Sequence, residues 1–244
     1  MYLEAFFEAV DSVFATIRNT QRGTIEVAAG VIAESLANHG ALLVMDTGHM
    51  LKHEAFNRAG GLMAIAPFSY GLSVECPINQ RTVERSAEEE AELESRTVAL
   101  ALDKSKMKRG DVLIINSNSG RTSNVVEVAL QCKERGITTI ALCSAAQMNG
   151  CSVAHISGKK LFDAADICID NCGPFGDASI EVKDNEKMCP LSGLAATYVL
   201  WAIQAEAVGL LQARGVNPTI FRSVHVSGPE YIEKQREAFL KQGV

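Results

Sequence analysis

Short apolar runs of strand length alternate along this chain with longer segments in which apolar residues have helical spacing. The apolar runs lie at 41–45, 62–66, 111–116, 137–143 and 167–170, and the helical segments at 3–17, 25–38, 50–59, 86–106, 122–135, 191–212 and 229–241. A strand that is apolar throughout is typical of a sheet covered on both faces, and parallel neighbours need a crossover helix between them. The pattern therefore predicts an α/β fold, a three-layer αβα sandwich around a mainly parallel five-stranded sheet.

Composition excludes several classes of partner. No linker interrupts the 244 residues, so we expect a single domain over 1–244. The net charge is −6 and no Lys/Arg-rich stripe is present, which argues against nucleic acid. No apolar run is long enough to span a bilayer, and the first residues lack the basic start of a signal peptide. We therefore expect no membrane partner and a cytoplasmic location.

The sequence also gives no sign of a metal or a cofactor. Of the seven cysteines, Cys168 and Cys172 are four apart, but no second pair or nearby histidine completes a zinc set. The chain has neither a GxGxxG fingerprint for a dinucleotide nor the Gly-Lys-Ser/Thr of a Walker loop. Most of its cysteines are therefore interpreted as small buried residues of a reducing compartment, and no cofactor is expected.

The strongest signal for function is the polar segment 116–124, which follows an apolar strand directly and opens a helix. Gly120 permits a tight backbone path, and Thr122 or Ser123 can cap the helix. Free backbone amides at a helix start favour an anion, and hydroxyl donors suit tetrahedral oxyanions. A capped turn with surface hydroxyls is the alternative, but so many small polar residues after a buried strand favour an anion site.

This segment resembles the S-x-S-G-x-[ST] signature of SIS (sugar isomerase) domains, which bind sugar phosphates there. Segments 46–61, 170–178, 190–193 and 227–230 are similar to a small bacterial branch of SIS proteins that is distantly similar to phosphoheptose isomerases. The resemblance implies a flavodoxin-like topology and a small anionic sugar as partner. It implies ligand contacts from Ser117, Asn118, Ser119, Gly120, Arg121 and Thr122, and from Ser192, for which a plain helix cap is the alternative. We also expect contacts from Asp46, Gly48 and Asp177, and a turn former is the alternative for Asp177.

Two features depart from what the resemblance implies. The family usually has a glycine-rich turn after its first strand, whereas this chain has Asp46, Thr47, Gly48 and His49. A carboxylate repels a phosphate, so Asp46 holds a sugar hydroxyl, caps the next helix or points away. Phosphoheptose isomerases also have a second catalytic histidine on the late helix. The corresponding helix here contains none.

Aldose–ketose isomerisation needs a base that moves a proton between adjacent carbons and an acid that serves the oxygens. Similar isomerases place a Glu on the helix after the first strand, which makes Glu54 the preferred base and His49 its partner acid. His53 is interpreted as a surface residue, and the i, i+4 spacing of His49 and His53 is only weakly suggestive of a metal. His225, before the terminal helix, is the late candidate; we expect it either to serve the site of a neighbouring subunit or to be a loop histidine bonded to the backbone.

Three functions remain open on this sequence. The first is an isomerase that acts on a small phosphorylated or otherwise anionic sugar through an enediol; the second is a non-catalytic phosphosugar-binding regulator. The third is a sugar-phosphate lyase or etherase, which begins with the same proton removal. We also expect a homodimer or homotetramer with a shared active site, because the late helix is apolar on most sides. The N-terminal helices (about 1–38) and the C-terminal helix (about 229–242) are the expected contacts.

Overall fold

A computed structural model describes residues 1–48, 51–78, 81 and 83–244. Within these residues the strands are β1 (Leu42–Asp46), β2 (Ile65–Pro67), β3 (Val112–Asn116), β4 (Thr138–Cys143), β5 (Ile167–Asp170), β6 (Ala178–Lys183) and β7 (Glu186–Pro190). The helices are α1 (Tyr2–Thr20), α2 (Arg22–Ala37), α3 (Leu51–Glu54), α4 (Ala87–Lys104), α5 (Ser123–Arg135), α6 (Ala145–Gly150), α7 (Leu161–Ala164), α8 (Ser192–Ala213), α9 (Val224–Ser227) and α10 (Pro229–Gln242).

The main sheet has five strands in the order β2-β1-β3-β4-β5, and every neighbouring pair is parallel. The register pairs Asp46 with Asn116, Asn116 with Leu142, and Cys143 with Asp170. The carboxyl ends of β1, β3, β4 and β5 therefore stop at nearly the same level. The loops that follow them gather along one edge of the sheet, where ligands of open parallel sheets bind.

Alternate side chains of the central strands enter two separate cores. Val112 and Ile114 pack in the core that contains α2 and α8, whereas Leu113 and Ile115 pack in the core that contains α4 and α5. Because successive side chains of a strand point to opposite faces, a fully apolar strand needs helices on both sides. The predicted three-layer αβα fold with a mainly parallel five-stranded sheet is confirmed.

The boundaries of most elements agree with the apolar pattern, and two differ. The segment 50–59 forms only the short helix α3 within the described residues, and β2 begins at Ile65 instead of residue 62. Leu62 instead forms an isolated antiparallel bridge with Ile220. The long helix α4 begins with a capping box: the Ser86 hydroxyl accepts from the Glu89 amide at 3.2 Å, and the Glu89 carboxylate accepts from the Ser86 amide at 2.8 Å.

An antiparallel hairpin of β6 and β7 lies outside the main sheet and was not predicted. Asp184 and Asn185 connect its strands with φ of 47° and 67°, and two positive φ angles are typical of the type I′ turn that suits hairpin twist. The pairing of Ala178 with Pro190 closes the base of the hairpin, which brings residues 177 and 191 side by side.

Helix α8 is the one helix among the described residues that is long and apolar enough to cross a membrane. It packs along α2, and its residues from Ala195 to Leu211 contribute eight buried side chains to the protein. Core helices of soluble proteins pass the same test of length and composition, so this helix is weak evidence for a membrane.

Candidate functional site

A cavity of about 850 Å³ opens where the loops after β1, β3, β4 and β5 meet the start of α8. Most of its described lining residues have polar side chains; the lining consists of Thr47, Gly48, Leu51, Asn116, Ser117, Asn118, Ser119, Thr122, Asn124, Gln147, Asn171, Gly176, Asp177, Pro190, Ser192, Gly193 and Leu194. The largest group of lining residues comes from the polar segment 116–124, which was the predicted anion site and is called the serine-rich loop below.

Backbone hydrogen bonds to β4 and to the segment after it fix the serine-rich loop. The Ser117 amide donates to the Leu142 carbonyl at 3.0 Å, and the Asn118 carbonyl accepts from the Ser144 amide at 3.0 Å. Gly120 has a φ of 54°, and its carbonyl accepts from the Leu161 amide at 2.8 Å. The loop is therefore held in place by the protein before any ligand arrives.

The loop keeps several donors available. Across the described part of the chain, no protein group bonds to the hydroxyls of Ser117, Ser119 and Thr122. Thr122 is the N-cap residue of α5, directly before Ser123, yet its side chain makes no capping bond. The first amides of a helix have no partner inside it, and they carry the positive end of the helix dipole. Three hydroxyls and the amino end of a 13-residue helix thus meet at one end of the cavity.

No Lys, Arg or His is found among the described residues that line the cavity, and Asp177 is the one carboxylate there. The neighbouring Cys143 thiol adds no charge, because burial raises its pKa far above the usual range. An anion at this loop would therefore be stabilised by hydrogen bonds from amides and hydroxyls, in the manner of backbone anion sites.

A bridge between β1 and β3 positions the predicted contacts from the first loop. The Asp46 carboxylate accepts from the Asn116 side-chain amide at 2.7 Å and from the Gly48 backbone amide at 2.9 Å. Thr47 donates through its backbone amide and its hydroxyl to the Asn116 carbonyl. Gly48 lines the cavity, whereas Asp46 is not among the described lining residues and ties the two strand ends together.

The opposite wall is built around Asp177. Its carboxylate accepts from the backbone amides of Leu191 at 3.1 Å and Ser192 at 2.8 Å, and from the Ser192 hydroxyl at 2.7 Å. Asp177 and Ser192 are both predicted site residues, and both line the cavity. Ser192 is engaged with Asp177, so its hydroxyl is not free in the way that the hydroxyls of the serine-rich loop are.

Other predicted site residues lie away from the lining. The Arg121 guanidinium donates to the backbone carbonyl and hydroxyl of Ser152 at 3.1 and 3.3 Å. Gly120 packs against buried side chains behind the loop. Glu54 forms an ion pair with Arg58 at 3.1 Å. His225 is exposed on the short helix α9. None of these residues is in the described lining.

The roles predicted for Glu54 and His225 stay predictions. His49, the predicted partner acid, lies outside the described residues. Leu51, the first residue of α3, lines the cavity, so the start of this helix borders the site.

Sequence reasoning did not single out Asn124, Gln147 and Asn171 as lining residues. The Asn171 side-chain amide donates to the Asn118 side-chain oxygen at 3.0 Å, and the Gln147 side-chain oxygen accepts from the Gly176 backbone amide at 2.7 Å. Asn171 directly follows β5, so the rule that ligands bind after parallel strands already pointed to it. Gln147 lies on a helix too short for periodicity to reveal.

Comparisons with known proteins agree with this architecture. The sequence profile of the SIS domain family matches residues 5–144. A UPF0309 protein of Caldanaerobacter subterraneus subsp. tengcongensis is 33% identical over 94% of this chain and 92% of its own length. A UPF0309 protein of Thermoanaerobacter pseudethanolicus is 32% identical, with coverage of 94% and 92%. The structure of a phosphoheptose isomerase from Francisella tularensis superposes with a TM-score of 0.50 at 14% identity, over 87% of this chain and 97% of that one, which is a likeness of fold alone.

Proposed function

This chain belongs to the SIS domain family, and we propose that its cavity binds a small phosphorylated or otherwise anionic sugar. The observation that carries the proposal is the set of hydroxyls at the amino end of α5, all of which lack a protein partner in the described chain. In this proposal Ser117, Ser119 and Thr122 hold the anion. The rest of the sugar lies toward Asn171 and Asp177.

Removal of one donor tests the binding site. Hydrogen bonds to charged groups are worth about 1.5–3 kcal/mol, so Ser119→Ala should weaken binding of a hexose 6-phosphate by about ten-fold to a hundred-fold. A ligand present at about 100 times its Kd adds about 2.7 kcal/mol of stability, so a rise in Tm provides the screen.

The control variant is Ser12→Ala, which removes an exposed hydroxyl on α1. The unphosphorylated sugars serve as control ligands. If Ser119→Ala keeps the affinity of the native chain, or if no sugar phosphate raises Tm while the parent sugar does, the proposed anion site is wrong.

We further propose that the bound sugar is isomerised between its aldose and ketose forms. Glu54 would be the base, His49 its partner acid, and His225 a group supplied by a neighbouring subunit. What supports this assignment is the position of Glu54, three residues after Leu51 of the cavity lining. The phosphoheptose isomerase named above is an isomerase on a related fold, which supports the reaction class by analogy only.

Exchange in heavy water tests this chemistry. A base at Glu54 would introduce deuterium at the carbon beside the carbonyl, whether isomerisation or elimination follows, and the products then separate an isomerase from a lyase or etherase. Glu54→Gln should abolish labelling but leave binding intact. Glu26→Gln is a matched control, because Glu26 also forms an ion pair with the arginine on the adjacent turn, Arg22, at 2.9 Å. Tight binding without any labelling by the native chain would instead identify a regulator.

We also propose that residues 1–244 form one SIS domain that acts in the cytoplasm as a homodimer or homotetramer. Tyr2, Leu3 and Phe7 on α1 are 58%, 61% and 51% exposed, and Leu240 on α10 is 80% exposed. Exposed apolar side chains of this size are common at subunit interfaces. Light scattering measures the mass in solution, and a monomer would contradict the proposed assembly.

A further inference from the structure

Two long helices begin at the cavity, and their amino ends differ in one respect. At α5, of 13 residues, the first turn has no side-chain cap. At α8, of 22 residues, the first amides already bond to a carboxylate, that of Asp177. Each helix start carries a partial positive charge that attracts an anion. The amino end of α5 is open to a ligand, whereas the carboxylate of Asp177 occupies the amino end of α8.

Local backbone geometry brings Asp177 to α8. Gly176 and Asp177 both have positive φ, 83° and 66°, which reverses the chain just before the β6–β7 hairpin. The hairpin then returns the chain at Pro190, beside its starting point at Ala178. Leu191 and Ser192 consequently lie against Asp177 although 14 and 15 residues separate them in sequence.

The carboxylate of Asp177 is nearly, but not fully, saturated. Oδ1 accepts two hydrogen bonds, from the amides of Leu191 and Ser192, and Oδ2 accepts one, from the Ser192 hydroxyl. A carboxylate oxygen accepts about two bonds, so Oδ2 has room for one more donor. A sugar hydroxyl fits that place, whereas a second phosphate has no proton to donate and adds a like charge in a cavity whose described lining has no cation.

We propose that Asp177 restricts this site to sugars with a single anionic group, whose uncharged polyol end faces α8. This inference rests on the proposed function, because it takes the serine-rich loop as the place of the one anion. In this arrangement Asp177 determines specificity by repulsion of a second anion and by acceptance of a hydroxyl. Sugar bisphosphates are the class that it excludes.

The test compares fructose 6-phosphate with fructose 1,6-bisphosphate by calorimetric titration at constant ionic strength. Two like unit charges about 6 Å apart at an effective dielectric constant of about 20–40 give a discrimination of about ten-fold to a hundred-fold. We therefore expect the native chain to bind the monophosphate at least about ten-fold more tightly. Asp177→Asn keeps an oxygen for the α8 amides and removes the charge, so the ratio should fall to within about three-fold.

Asp184→Asn is the matched control, because it removes the same charge at the exposed tip of the hairpin. It should leave the native ratio unchanged. The comparison in the native chain needs no variant, so it can overturn the inference even if Asp177→Asn does not fold.

Equal affinity of the native chain for the two fructose phosphates would overturn the inference and leave the proposed function standing. A preference that survives Asp177→Asn would overturn it as well. Failure of every sugar phosphate in the Tm screen to bind, these two included, would overturn the proposed function, and this inference with it.

Discussion

Gly120 is the position in the serine-rich loop where one added methyl group should do the most damage. Its φ of 54° lies in the left-handed region, where a residue with a Cβ atom is less stable by about 1–2 kcal/mol. A Cβ atom there would also lie 3.0 Å from the Cys143 sulfur and 3.3 Å from the Leu161 Cβ, inside the optimal separation of about 3.5–4.0 Å. Overpacking of a buried site costs about 1–3 kcal/mol.

Gly120→Ala should therefore lower the free energy of unfolding by about 2–5 kcal/mol, the sum of these two costs. Gly215→Ala is the control for backbone strain alone, because Gly215 has a φ of 78° and no heavy atom within 4 Å of the added Cβ. That variant should lose only about 1–2 kcal/mol. Urea unfolding measures both losses of unfolding free energy, provided that the variants and the native chain have equal m-values.

A second variant separates packing from strain in the same loop. Cys143→Ala removes the sulfur that the new methyl group meets, so its combination with Gly120→Ala should be more stable than the sum of the two single losses predicts. If Gly120→Ala is no less stable than Gly215→Ala, or if the double variant shows no coupling, the packing argument fails.

Two further predictions concern buried groups. Asp111 is 1% exposed and accepts from the backbone amides of Ala41 at 2.9 Å and Lys108 at 2.8 Å. Because each amide left without a partner costs about 1–3 kcal/mol, Asp111→Ala should lower the free energy of unfolding in urea by at least about 2 kcal/mol. A loss below about 0.5 kcal/mol would contradict this prediction. Burial raises the pKa of the Cys132 thiol to about 12, whereas Cys76 is exposed. At about pH 8 iodoacetamide should therefore label Cys76 and spare Cys132 in the native protein. Peptide mass spectrometry measures the labelling, and similar labelling of both cysteines would refute the prediction.

The sequence predicted the parts of the fold that depend on local pattern. The central strands are buried on both faces, so their apolar runs were unambiguous, and the serine-rich loop followed directly from the end of β3. The cap of α4 was predictable for the same reason, because Ser86 and Glu89 are close in sequence. Each of these features needs information from fewer than ten neighbouring residues.

The features that were missed depend on short elements or on distant contacts. Helices α6 and α7 have six and four residues, too few for helical spacing to appear. The β6–β7 hairpin has exposed, charged strands, but Asp184-Asn185 was a turn signal that could have revealed it. The contact of Asp177 with Ser192 could not be predicted, because it requires the hairpin to close first.

The base of the β6–β7 hairpin borders the cavity, whereas the tip of the hairpin does not. Its two strands leave and return at one Cα pairing, between Ala178 and Pro190, so the tip at Asp184 can be lengthened or shortened without displacing either end. Relatives with this cavity are therefore free to differ in length between these two residues. For a protein engineer, the hairpin tip is a natural insertion point for a reporter or an affinity tag.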